Sequence, residues 1–198
     1  MGTKRVGHAR IAALVNKNLN ELRFIGNTGL TAGSGINHTD GDGSPVYVSW
    51  IEVFGDVVKT SIYVDLDGLM PGGAAADIIG ADDEANCHIG QYTVGKMGTL
   101  FAAKMICVET PTGGEPDIDV YSSTVGTGTE NVAITHADLA TEVALLAAAA
   151  DWTSTTAPKH FTALPAADTY LYLVSSGGGD TAEYETGKFI IELWGKRT

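Results

Sequence analysis

Residues 57–69, VVKTSIYVDLDGL, alternate with a period of two. Val58, Thr60, Ile62, Val64 and Leu66 fall on one side, and Lys59, Ser61, Tyr63 and Asp65 on the other. Successive side chains of a strand point to opposite faces, so this pattern demands a sheet with one dry side and one wet side. The run before it, VYVSWIEVFG (46–55), sets Val46, Val48, Trp50 and Glu52 on one face. Tyr47, Ile51, Val53 and Phe54 break its alternation, which reads as burial on both sides in part. Gly55-Asp56 between the two runs is a two-residue turn signal, so a hairpin is expected.

Further strands are expected at 88–94 and 98–109, read as a pair around Gly95, and at 117–122. Residues 169–175 and 188–195 read as a hairpin with a long tip. Residues 70–86 form a connection with a helical turn at 74–79, 111–116 a turn, and 124–131 a loop. Six to eight strands in antiparallel pairs, with turn signals at short intervals and 25 glycines, indicate a mainly β fold. The expected architecture is an antiparallel β-sandwich of jelly-roll type. No internal repeat is visible.

Two stretches carry the helical period instead. In 8–23, Ile11, Leu14, Val15, Leu19 and Leu22 make an apolar stripe. A helix of about 16 residues is marginal alone in water, so the stripe needs a cover. In 136–150, HADLATEVALLAAAA, Thr135 is a candidate cap, Leu139, Val143, Leu146 and Ala150 share a face, and the alanines favour helix. Residues 26–45 show no apolar period and read as a flexible loop. The expected organisation is therefore an arm over 1–25, a loop over 26–45, and a β-domain over 46–198.

Charge divides along the same joint. Residues 1–23 hold five basic side chains against Glu21 alone, a balance of +4. The remainder holds seven basic and 23 acidic residues, a balance of −16, and the whole chain −12. Nucleic acid is not an expected partner of the body, because phosphate recognition needs clustered Lys and Arg. No export signal is expected: the first apolar run, IAALV, is five residues long. The longest, VALLAAAA at 143–150, is too short to cross a bilayer. Met1-Gly2 opens like a myristoylation signal, but Val6 stands where Ser or Thr belongs. A protein made in a cytoplasm, with no membrane partner, is expected.

No catalytic set emerges. Gly33-Ser34-Gly35 and Gly126-Thr127-Gly128 complete neither a nucleophile elbow nor a phosphate loop. His8, His38, His88, His136 and His160 are dispersed. Cys87 and Cys107 form no C-x-x-C pair and read as buried thiols, with a disulfide left open. Cys87-His88 on a strand would point one side chain in and one out. Asp40/Asp42, Asp65/Asp67, Asp82/Asp83/Glu84 and Asp117/Asp119 supply carboxylates, yet none completes an EF-hand, and Asp65/Asp67 read as a strand end. No cofactor, metal site or catalytic residue is assigned. A sugar-binding surface would need exposed aromatics grouped together. Most of the Trp and Tyr lie in strand patterns that suit a core, with Trp152 and Tyr184 near loops as exceptions.

The leader MGTKRVGHARIAALV, the segments TSIYVDLDGL and DIIGADDEANCHIGQ, the stretch ETPTGGEPDIDVYS and the ending PAADTYLYLVSSGGG…YETGKFIIELWG resemble a group of virion structural proteins of marine tailed bacteriophages. The resemblance runs over almost the whole chain and implies a particle component of the capsid decoration or accessory type. It carries over no functional residues. It gives the leader a sense as a docking arm, with Lys4, Arg5, Arg10, Ile11, Leu14, Val15, Lys17 and Leu22 as the expected contact residues. The expected partners are a major capsid protein or another virion protein, and further copies of the chain in a symmetric homo-oligomer, a trimer first. The rival expectation is a tail, neck or fibre-associated protein with a host-glycan surface. An enzyme, such as a hydrolase of envelope polymers, comes third.

Overall fold

The computed structural model describes residues 47–139 and 141–197. They form two antiparallel sheets. In chain order the elements are β1 (Tyr47–Phe54), β2 (Val57–Asp65), β3 (Gly90–Gln91), the one-turn helix α1 (Val94–Met97), β4 (Thr99–Thr112), β5 (Ile118–Ser123), β6 (Val143–Leu146), β7 (Lys159–His160), β8 (Tyr170–Ser175) and β9 (Thr186–Lys196). A 3₁₀ turn, Ala137–Leu139, precedes β6. The five-stranded sheet runs β1-β2-β9-β4-β7, and the four-stranded sheet β3-β8-β5-β6. The expected mainly β, antiparallel class is therefore observed. The arm over 1–25 and the loop over 26–45 lie outside the described residues.

The expected β1–β2 hairpin forms, with Phe54 opposite Val57 across Gly55-Asp56. Gly55 takes φ +63°, a left-handed value that costs glycine nothing and suits the tight loops of twisted hairpins. The core side of β2 is as expected, with Val58, Ile62 and Val64 buried, but the other face is not wet: Lys59 and Tyr63 are half-buried, and Ser61 and Asp65 are buried beneath their neighbours.

Two expected pairings are not observed. The strands on either side of Gly95 belong to different sheets: β3 pairs with β8, and β4 with β9. Between them α1 and Gly98, at φ +71°, turn the chain from one sheet to the other. Gly195 of β9 makes room for this crossing, because a Cβ there would run into the Met97 carbonyl oxygen. Likewise β8 and β9 do not form a hairpin. β8 pairs with β3 and β5, and β9 with β2 and β4. The connection between them passes from one sheet to the other, exposed over residues 178–183 and anchored by the fully buried Tyr184. Tyr184 donates its N–H to Leu69 O at 2.9 Å, and its carbonyl accepts from Gly68 N at 2.9 Å.

Both expected internal helices are also corrected. At 74–79, Asp77 and Ile78 form β-bridges to Ala133 and Val174, and Ile79 N–H donates to Leu173 O. The second helix, expected over 136–150, is replaced by the 3₁₀ turn and by β6, which pairs with β5. Thr141 and Ala149 take φ +70° and +60°, values no right-handed helix contains. Pairing with β5 buries the consecutive Leu145 and Leu146, and that packing overrides alanine's helix propensity.

The inner faces of both sheets contribute to one core cluster, including Ile62, Val64, Val120, Leu171, Leu173, Phe189 and Ile191. Buried aromatics pin the loops to it through their polar tips. Trp152 Nε1 donates to Ile118 O at 2.8 Å, Tyr184 OH to Glu115 O at 2.7 Å, and Tyr172 OH to Val125 O at 2.7 Å. Each such side chain removes a large apolar area from water, about 1.5–3 kcal/mol, without leaving its polar atom unpaired.

Candidate interaction surface

The register of the five-stranded sheet fixes what its outward face displays. In β9, Phe189, Ile191 and Leu193 point to the core, and Lys188, Ile190, Glu192, Trp194 and Lys196 point away from it. Their in-register neighbours share that face: Asp65, Tyr63, Ser61, Lys59 and Val57 on β2, and Trp50, Glu52 and Phe54 on β1. On β4 the matching positions are Glu109, Ile106, Lys104, Ala102 and Thr99. Trp50, Tyr63, Ile106, Ile190 and Trp194 are half-buried, a band of apolar side chains across four strands. Phe54 and Phe101, each 57% exposed, stand at the hairpin end of the same sheet. Ser61, opposite Trp50 and Glu192, is 1% exposed, and its hydroxyl has no hydrogen-bond partner.

Charged side chains cross this band in two paired rows. Glu52 Oε2 lies 3.5 Å from Lys59 Nζ, which lies 2.8 Å from Glu192 Oε1. Glu192 Oε2 is 2.9 Å from Lys104 Nζ. In the second row, Lys188 Nζ lies 2.8 Å from Glu109 and 3.7 Å from Asp65. Burial pushes the Glu192 carboxyl up, and the hydrogen bonds and charges of Lys59 and Lys104 outweigh it and hold the group below its usual range. The hydrogen bond to Glu192 raises Lys59, and the bond to Glu109 with the charge of Asp65 raises Lys188.

The charge count of this face is unlike the rest. Residues 47–197 hold seven Lys or Arg and 21 Asp or Glu, a balance of −14. The outward positions of β1, β2, β9 and β4 hold Lys59, Lys104, Lys188 and Lys196 against Glu52, Asp65, Glu109 and Glu192, a balance of zero. The whole excess of acid thus lies in the loops and on the other sheet.

Sequence reasoning misassigned some of these aromatics. Trp152 and Tyr184, read as near loops, are fully buried, while Trp50 and Trp194, read as suiting a core, lie on the outward face; Tyr63 lies there too, on the side its alternation with Ile62 and Val64 assigns it. The signal was present: Trp194 shares parity with Glu192 and Lys196, and Trp50 with Glu52. The arm residues Lys4, Arg5, Arg10, Ile11, Leu14, Val15, Lys17 and Leu22 lie outside the described residues.

The remaining chemical candidates sit elsewhere. Cys87 and Cys107 are free and buried, and burial pushes each thiol up to about 11. Cys87-His88 is not on a strand, and both side chains point into the protein. The His88 ring lies 4.8 Å from the Tyr170 ring, tilted by 56°, its Nδ1 has no partner, and burial lowers it to about 4. Asp65 Oδ1 accepts from Asp67 N at 3.3 Å, the turn expected at that strand end. Asp82 and Asp83 are joined by Glu130, with carboxylate oxygens within 4.8 Å of one another, while Glu84 stands outside this group. Asp83 N–H donates to Glu130 Oε2 at 3.2 Å. Asp119 Oδ1 accepts from Ala148 N at 2.6 Å, which gives it a structural role at β6. Among the described residues, no helix is long and apolar enough to cross a membrane. Comparison with protein families, curated proteins and solved structures finds no match.

Proposed function

We propose that this chain is a non-enzymatic structural component of a phage particle, a decoration or cement protein of the head. In this reading residues 1–25 dock on the major capsid protein or another virion protein, and the β-domain, a jelly-roll-like sandwich, associates with further copies of itself. Many weak contacts then hold the shell by multivalency. The observation that carries the reading is the division of charge: a leader of +4 with an apolar stripe precedes a body of −14 over residues 47–197. Charge supplies steering and register, and burial of Ile11, Leu14, Val15 and Leu22 supplies affinity. The resemblance to phage virion proteins points the same way. The test is removal of residues 1–23, with Ile11→Asp plus Leu14→Asp as a milder version. Particle binding should fall while melting and circular dichroism of the body hold. Undiminished binding would overturn the arm.

A second reading, a tail, neck or fibre-associated protein with a glycan-binding surface, is favoured by the grouping of Trp50, Tyr63 and Trp194 on one face. Copy number separates the two, with on the order of hundreds per particle for a head protein and far fewer for a tail protein.

A further inference from the structure

We propose that the outward face of the five-stranded sheet is the surface through which two copies of this chain pack, sheet against sheet. The inference rests on the self-association part of the reading above and names its surface. Two bodies that each carry −14 repel wherever their acidic loops approach. The outward sheet face is electrically neutral, and its Lys59, Lys104 and Lys188 are already paired, so two copies meet there with least repulsion. Tyr63, Ile190 and Ile106 on one side and Trp50 and Trp194 on the other flank the paired charges of Lys59, Glu192 and Lys104 at its centre, so apolar area is buried around charges that are already neutralised. Four strands at about 4.8 Å and nine residues at about 3.4 Å give a patch of roughly 600 Å² in plane before side-chain relief. A stable interface uses roughly 800 Å² per partner.

The register also makes the face self-complementary. A twofold axis along the strands, between β2 and β9, sets β2 of one copy over β9 of the other. Asp65 then faces the partner's Lys188, Lys59 the partner's Trp194, Ser61 the partner's Glu192, and Tyr63 the partner's Ile190. On the outer strands Trp50 faces the partner's Lys104, and Glu52 the partner's Ala102. No charge in these rows faces its like. Lys59 gains a second indole beside the Trp194 ring it already approaches at 5.6 Å. A trimer would need a second, different surface.

The test is sedimentation equilibrium of the full chain over about 1–200 μM at low and high salt, for wild type and for Ile190→Lys. A dimer is expected, strengthened as salt screens the acidic loops, and weakened at least about tenfold by Ile190→Lys. Tyr63→Lys, at the facing position, should do the same, and the wild-type salt series stands whether or not either variant folds. A dimer that weakens with salt and ignores both variants would overturn this surface. It would leave self-association to the basic arm. A monomer at every concentration and salt would overturn the surface and the self-association reading together. A monomer that binds a glycan through this face, with binding lost in Ile190→Lys, would also overturn it.

Discussion

Glu192 lies between two lysines, with Oε1 2.8 Å from Lys59 Nζ and Oε2 2.9 Å from Lys104 Nζ. It ties β2, β9 and β4 together on the face away from the core. Glu192→Gln keeps the shape, leaves Lys104 without its anion and leaves Lys59 with Glu52 alone, at 3.5 Å. The expected loss is about 1 kcal/mol at pH 7 and low salt, shrinking as salt rises, read from urea unfolding. Because the folded carboxyl is held low, its contribution is present above about pH 4.5 and is lost as pH falls through its folded value. An equal loss at all salt concentrations would show that shape rather than charge matters here.

His88 predicts an acid-sensitive fold. Its ring is 2% exposed, packed against Tyr170 and Tyr172, and the fold holds it neutral. As pH falls below 6.5 the unfolded chain takes up a proton that the folded chain refuses until about 4. Stability should fall across that window by roughly 3 kcal/mol and level out below it. Burial raises Asp117 and Glu130, so they act in the opposite sense as they protonate, within the carboxylate range. His88→Phe should flatten the upper part of the profile. Identical profiles for the two proteins would contradict the assignment.

Trp152 joins the sheets from a loop. Its ring meets Phe189 edge-on at 5.5 Å, Lys159 Nζ lies 4.4 Å over it, and its N–H is bonded to Ile118 O. Trp152→Ala should cost about 3–5 kcal/mol in chemical denaturation. Trp152→Phe should cost less, about 1–3 kcal/mol, chiefly from the unpaired Ile118 carbonyl. Near-ultraviolet circular dichroism checks that the remaining core is intact.

The thiols of Cys87 and Cys107 should be inert in the folded protein. Both are buried and held protonated to about pH 11, and the thiolate is the reactive form. Alkylation at about pH 8 should follow global unfolding, with both sites reacting together. Fast reaction of one equivalent in native buffer would contradict this.

Much of the sheet content was legible because strand parity is local. The alternation of residues 57–65 and the Gly55-Asp56 turn gave β2 and its hairpin, with the core side correctly chosen. Which strand pairs with which is not local. The β8–β9 loop crosses between sheets because Tyr184 is buried against Glu115 and Leu69, contacts that no spacing in the sequence announces. The 136–150 segment misleads for the same reason: its alanines favour helix, but β5 offers an edge that pairs with Val143–Leu146. The outward face was only partly legible: Tyr63 was placed by its parity, but Trp50 and Trp194 read as core by type although they share parity with Glu52 and Glu192.

A density map of the intact particle tests the account most directly. The expected result is many copies of the β-domain on the head shell, with residues 1–25 against a neighbouring virion protein. The band from Trp50 to Ile106 should be covered by a second copy and the acidic loops should face solvent. Particles that lack this chain would contradict the particle assignment, and copies with residues 1–25 folded against their own domain and touching no neighbour would contradict the docking arm.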